Sequence, residues 1–388
     1  MPTTILASDA LKILERFLCA YQRNAKLEGL SLKVAIVYHE DFKKYSFGPN
    51  HPLIGDYMDG DIAFKLVKEN EKISTIAEID FFKPNEARDE DILAVHTKEY
   101  IDFVLRLNEN GGMLTLDTPV LKGVYDVARL FAGADILGGK LVLDESCDKS
   151  FVFSTMGHHV GADFGGGFGI LNDVAIMIEV LRIKYGLSRV LVIDYAANTG
   201  HGTQKIFYDT PEVLCIDIHQ DPLTLYPGIG FPEQVGKGKG KGYTVNVPIA
   251  PYSSDADFIY ALKEIVLPIG VEYKPELVVA VGLNGAHFTV QINQLMLTLN
   301  GLNSTVCLLS EIASRTCKGK FVHVGGFSLD QNLSPLGFLA TVAGGLNVDI
   351  DFPEPYDMPQ NLPDVSEQNR ESIARIRNIH KKYWKCLN

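Results

Sequence analysis

Short apolar runs rich in β-branched residues recur along the chain from residue 33 onward, and segments with helical periodicity separate them. Uninterrupted runs of this kind suit strands buried on both faces, which requires helices to cover both sides of the sheet. The clearest runs are 34–37, 151–153, 190–193, 213–216, 277–281 and 321–324. Between them, residues 61–69, 98–107, 125–137, 174–185, 257–266 and 304–314 place apolar side chains three and four apart. The expected architecture is therefore α/β, with a mostly parallel central sheet flanked by helices. Length allows two domains or one large one. The expected division is an N-terminal helical extension over 1–32, one α/β domain over 33–350, and an acidic, proline-rich segment with a terminal helix over 351–388 packed on that domain.

In a sheet of this type the ligand sits beyond the carboxyl ends of the strands, where loops converge and helix amino termini point inward. The loops expected to carry chemistry are 155–169, 195–202, 219–230, 282–289 and 325–330. The opening segment, 8–21, sets Leu11, Leu14, Leu18 and Tyr21 on one helical face. That face either docks on the same domain or meets a partner.

Composition narrows the partners. Lys and Arg number 36 against 48 Asp and Glu, a formal charge of −12, so no basic field gathers nucleic acid. The lysines of Gly236-Lys237-Gly238-Lys239-Gly240-Lys241-Gly242 offer charge to an anion, but glycine at every second position reads first as a solvated turn. No ligand is assigned to it. Cys19, Cys147, Cys215, Cys307, Cys317 and Cys386 form no C-x-x-C pair and are expected to be reduced core thiols of a cytoplasmic protein. No apolar run approaches the roughly 20 residues that cross a bilayer, so no membrane association is expected.

The most informative stretch is Gly157-His158-His159, followed by Gly165-Gly166-Gly167-Phe168 and Leu171-Asn172-Asp173. Adjacent histidines at a strand end suit general acid/base work at one reacting centre. Here the sequence resembles the histone deacetylase and acetoin-utilization deacetylase family, which has the arginase/deacetylase fold. The likeness continues through Val192-Ile193-Asp194, Gly200-His201-Gly202-Thr203-Gln204, Asp217-Ile218-His219 and Tyr226-Pro227-Gly228, and spans about residues 35 to 350.

That resemblance implies a zinc hydrolase in which Asp, His and Asp hold the metal, tandem histidines move protons and a tyrosine binds the oxyanion. Laid on this chain, the first ligand falls at Ala196 and the second at Asn198. The third falls at Gly285, or at Asn284 after a one-residue shift. The tyrosine position falls at Leu329, or at Phe327 in the shorter alignment. His201 stands where the family partners its second histidine with a carboxyl or amide group, and Tyr57, beyond His51-Pro52, stands where the family has an arginine. Asp194, the implied partner of His158, is retained.

Zinc lowers the pKa of its water from 15.7 to about 7, and one oxyanion donor is worth about 10²–10³ in rate. Three ligands and a tyrosine together exceed what any other visible feature replaces. The expectation is therefore a deacetylase-like pseudoenzyme with no zinc cofactor, keeping His158, His159 and Asp194 as vestigial proton-transfer residues. It is expected to act as a binding or structural subunit of a protein complex. Phe168 and Tyr226, which line the family's tunnel, are expected to bind an acyl-lysine-like or small acyl ligand. The alternative is an active amidohydrolase, either with a metal site rebuilt from His158, His159, Asp194, His201 and His287 or with metal-free His/Asp chemistry. His201 and His287 are expected to lie beyond reach of the centre.

Overall fold

The computed structural model describes residues 31–48, 60–154, 157–282, 284–326, 330 and 332–388. The proposed helix at 8–21 and the positions Tyr57, Phe327 and Leu329 lie outside them. Among the described residues ten strands follow in chain order: β1 (Leu32–Val37), β2 (Ala77–Phe82), β3 (Gly112–Thr115), β4 (Thr118–Val120), β5 (Lys149–Val152), β6 (Val190–Asp194), β7 (Val213–Gln220), β8 (Thr244–Ile249), β9 (Leu277–Val281) and β10 (Phe321–Val324). Eight of them form one sheet in the order β2-β1-β5-β10-β9-β6-β7-β8. All seven pairings are parallel. β3 and β4 form a separate antiparallel hairpin.

Every residue of β5 through β10 is buried, which is why these strands read as continuous apolar runs. β2 is different. It lies at the sheet edge and exposes Glu78 and Asp80, so its sequence carries no such run. Helices form over Asp61–Glu69, Lys98–Asn110, Val124–Leu143, Asp173–Tyr185 and Leu299–Thr316, at the places periodicity predicts. The pattern at 257–266 resolves into Asp255–Ala261 followed by a π-helical turn, Leu262–Val266.

Periodicity does not reveal the Leu333–Gly345 helix. Most of its residues are buried, so it has no polar face to set a 3.6-residue alternation. The terminal helix, Ser366–His380, covers the β8 edge, which would otherwise expose unpaired backbone groups. Buried Asn369 holds it there, accepting from Ala250 N at 2.9 Å and donating to Ser253 Oγ at 2.8 Å.

The thiols correct one expectation. Cys147 and Cys215 are core residues, but Cys307 and Cys317 are only partly buried and Cys386 is exposed. Among the described residues no helix is long and apolar enough to cross a membrane.

Candidate functional site

The parallel strands bring their carboxyl ends to one edge. Asp194 ends β6 and pairs in register with Asp217 of β7. Both carboxylates are buried, and each faces a histidine. Asp194 Oδ2 lies 2.7 Å from His158 Nδ1, and Asp217 Oδ1 lies 2.6 Å from His219 Nδ1. His219 also belongs to β7, two residues beyond Asp217, and a strand's period of two sets both side chains on one face. The Asp217-x-His219 spacing is legible in the sequence, but only the structure shows the two side chains meeting.

The loop after β5 is shaped by backbone hydrogen bonds. Asp173 Oδ1 accepts from Gly157 N at 2.7 Å and from Val174 N at 3.0 Å, which ties the loop to the start of the Asp173–Tyr185 helix. Asn172 caps that helix, accepting from Ala175 N, and its Nδ2 donates to Val160 O at 2.7 Å. Burial raises the pKa of Asp173 to about 7, against the lowering effect of those two amides and of His158. Glycine is required at two contacts. A Cβ on Gly200 would strike Asp194 Oδ2, and one on Gly167, whose φ is +57°, would strike the His159 ring.

The two adjacent imidazoles differ electrically. Burial disfavours a charge on His158, but the Asp194 carboxylate, their hydrogen bond and Asp217 more than offset it and hold the pKa above the usual value. His159 is held well below it, by burial first and then by His158 and His201. One ring favours the cation and its neighbour the neutral base, with centroids 4.1 Å apart.

His201 reaches His159, in keeping with its place at the family's partner position for the second histidine. Its Nδ1 lies 3.2 Å from His159 Nδ1, because the short His201–Ile206 helix starts immediately beyond the β6 loop. Burial lowers its pKa to about 4. Phe164 stacks on its far side at 6.0 Å. Tyr226 packs edge-on against His159 at 5.2 Å and is half exposed. Phe168, at φ +67°, is partly buried, and its carbonyl accepts from Tyr45 OH at 2.7 Å. His287 stands apart, with Nε2 2.8 Å from Glu354 Oε2.

The positions that the resemblance assigns to a zinc ion carry few donor atoms. Ala196 ends in a methyl group. Asn198 spends its Nδ2–H on Tyr226 O at 2.8 Å. Gly285 has no side chain, and its carbonyl accepts from Asn293 Nδ2 at 2.5 Å. Asn284, the shifted alternative, is buried against Gly337. Zinc takes imidazole, thiolate or carboxylate, so this set does not fit it. Among the described residues no three His, Cys, Asp or Glu side chains group to hold a metal. Beneath the pair, between Asp194 and Asp217, a cavity of about 10 Å³ has room for about one water.

A parallel sheet whose carboxyl edge carries a histidine–aspartate pair beside a second histidine defines an α/β protein with its candidate site at the strand ends. The sequence profile of the histone deacetylase domain matches residues 61–335, and the chain belongs to that family. A probable deacetylase of Archaeoglobus fulgidus is 36% identical over 91% of this chain and 99% of its own length. The acetoin utilization protein AcuC of Bacillus subtilis is 29% identical over 76% of this chain and 77% of its own. In structure, the chain resembles the HD domain of HDA15 with a TM-score of 0.77, covering 91% of this chain and 97% of that one at 24% identity, a likeness of fold.

Proposed function

We propose that this chain is a histone-deacetylase-like protein that has lost zinc-dependent deacetylase activity and serves as a binding or structural subunit of a complex. One observation carries the reading: Asn198, at the family's imidazole-ligand position, turns an N–H donor toward the Tyr226 carbonyl, and Ala196 beside it carries no donor atom. The amide nitrogen has no lone pair to give a cation, and the Asn198 oxygen is a neutral amide carbonyl outside the imidazole, thiolate and carboxylate set that zinc takes. His158, His159 and Asp194 then persist as inherited proton-transfer residues. Phe168 and Tyr226 are the aromatics offered to a slender acyl-lysine-like chain.

The test uses purified protein with zinc supplied. The expected outcome is no hydrolysis of an acetyl-lysine peptide above buffer, no stoichiometric zinc, and a stoichiometric protein partner on purification from the native cell. Turnover abolished by His158→Ala would overturn the proposal.

A second reading is favoured by the intact His158–Asp194 contact at 2.7 Å, which orients a base as hydrolases do. It is an amidohydrolase working without metal through that pair, or with a rebuilt metal site. Peptide hydrolysis that survives a chelator and is lost in Asp194→Asn supports the metal-free form.

A further inference from the structure

A second cavity opens at the opposite edge of the sheet. It has a volume of about 710 Å³ and lies where Arg189 leads into β6, Glu212 into β7 and Tyr243 into β8. These are the amino ends of parallel strands, so the sheet itself separates this cavity from His158 and Asp194. Its volume falls within the range of small-molecule sites, roughly 300–1,000 Å³.

The wall is aromatic. Trp384 packs edge-on against Tyr243 at 5.6 Å and Tyr273 at 6.2 Å. The polar ends of two of these rings are already committed. Trp384 Nε1 donates to Gly242 O at 3.1 Å, and Tyr273 OH donates to Pro211 O at 3.0 Å. Tyr243 and Tyr383 remain partly exposed, which leaves ring surface for a flat ligand.

The charges at the rim are unequal in availability. Glu272 accepts from Lys385 N at 3.0 Å and Cys386 N at 2.7 Å, and Glu212 accepts from Thr210 Oγ1 and lies 4.0 Å from Arg182. Both acids are hydrogen-bonded within the protein but keep their charge, so the three cations of the lining, Arg189, Lys241 and Lys382, outnumber them by one. Lys241 and Lys382 are exposed, and neither forms an ion pair among the described residues. Lys382 Nζ sits 5.0 Å from the Tyr383 ring centroid. Lys241 comes from the Gly236–Gly242 turn, in which Lys237 by contrast pairs with Asp209 at 3.7 Å. On a chain of net charge −12, unpaired cations gathered at an aromatic wall run against the composition.

We propose that this cavity binds a small planar aromatic ring carrying a phosphate dianion. The ring stacks on the partly exposed faces of Tyr243 and Tyr383, which pack beside the buried Trp384, and the phosphate lies between Lys241 and Lys382, with Arg189 completing the cationic rim. The assignment is independent of what happens at the strand-end histidines.

The chain contains one tryptophan, so its fluorescence reports this wall alone. The test titrates the full chain with AMP, adenosine and inorganic phosphate. AMP is expected to change Trp384 emission saturably, with adenosine and phosphate each weaker by about tenfold or more. Lys241→Ala and Lys382→Ala are each expected to weaken AMP by about fivefold, with circular dichroism unchanged. His158→Ala is expected to leave the titration as it is. No saturable change with AMP would overturn the proposal. So would wild-type titrations in both lysine variants, or variants that lower only Tm, since the cations would then serve the nearby helix carboxyl ends.

Discussion

Asp194 and Asp217 sit side by side on neighbouring parallel strands, and each carboxylate faces its own histidine, His158 at 2.7 Å and His219 at 2.6 Å. Two buried anions thus act on one imidazole, since Asp217 raises the His158 pKa along with Asp194. Removing either anion destabilises the imidazolium, so the pKa of His158 falls. Asp194→Asn is expected to lower it more than Asp217→Asn, because only Asp194 is in contact. Histidine NMR titrations of the two variants check the ranking, which equal shifts would contradict.

Restoring the family's donors should restore a metal site. The triple variant Ala196→Asp, Asn198→His, Gly285→Asp supplies two carboxylates and an imidazole and also removes the Asn198 bond to Tyr226 O. It is expected to bind about one equivalent of zinc, and the parent chain is expected to bind none. Plasma mass spectrometry after dialysis reads the outcome, and a metal-free triple variant would show that the surrounding loops also differ.

Lys149 is buried at the start of β5, with Nζ bonded to Ser310 Oγ and, at 2.8 Å, to Gly345 O at the carboxyl end of the Leu333–Gly345 helix. Burial lowers its pKa from 10.5 to about 8. Below pH 8 the residue is charged in both folded and unfolded chains, and the burial cost is fully present. As pH rises toward 10.5 the folded chain is already neutral while the unfolded chain still binds the proton, so stability increases. That gain is about 3 kcal/mol. Urea unfolding at pH 7 and pH 11 should show the parent gaining about this much relative to Lys149→Met. A constant difference between the two proteins would refute it.

Glu354 lies far along the chain from the helix it caps. Its Oε1 accepts from Leu299 N at 2.6 Å, and its Oε2 lies 2.8 Å from His287 Nε2. Glu354→Ala is expected to cost about 1–2 kcal/mol by orphaning the amide and the buried imidazole together. Glu354→Gln keeps an acceptor for Leu299 and should cost less than half of that. Denaturant midpoints at constant m-value measure both.

Much of this molecule was legible in its residues. The six apolar runs all became sheet strands, because burial on both faces leaves an uninterrupted signature. β2 and the Leu333–Gly345 helix escaped notice for opposite reasons, the first because it is an exposed edge and the second because it has almost no exposed face. At the candidate site, the His158–Asp194 contact and the place of His201 beside His159 both followed from the resemblance, whereas the Asp217–His219 contact next to them did not.

The amino-acid sequence by itself determined the class of fold and the family, and it placed Ala196, Asn198 and Gly285 at the positions that the resemblance assigns to zinc ligands. Only the tertiary structure decided that Asn198 donates to Tyr226, that Asp217 lies beside Asp194, that Glu354 caps the helix beginning at Leu299 and that Lys149 is buried against Gly345. The physical reason is range. Periodicity and turn chemistry act over a few residues, whereas each of these partnerships joins groups distant in the chain and forms only once parallel crossovers have brought the strands into register.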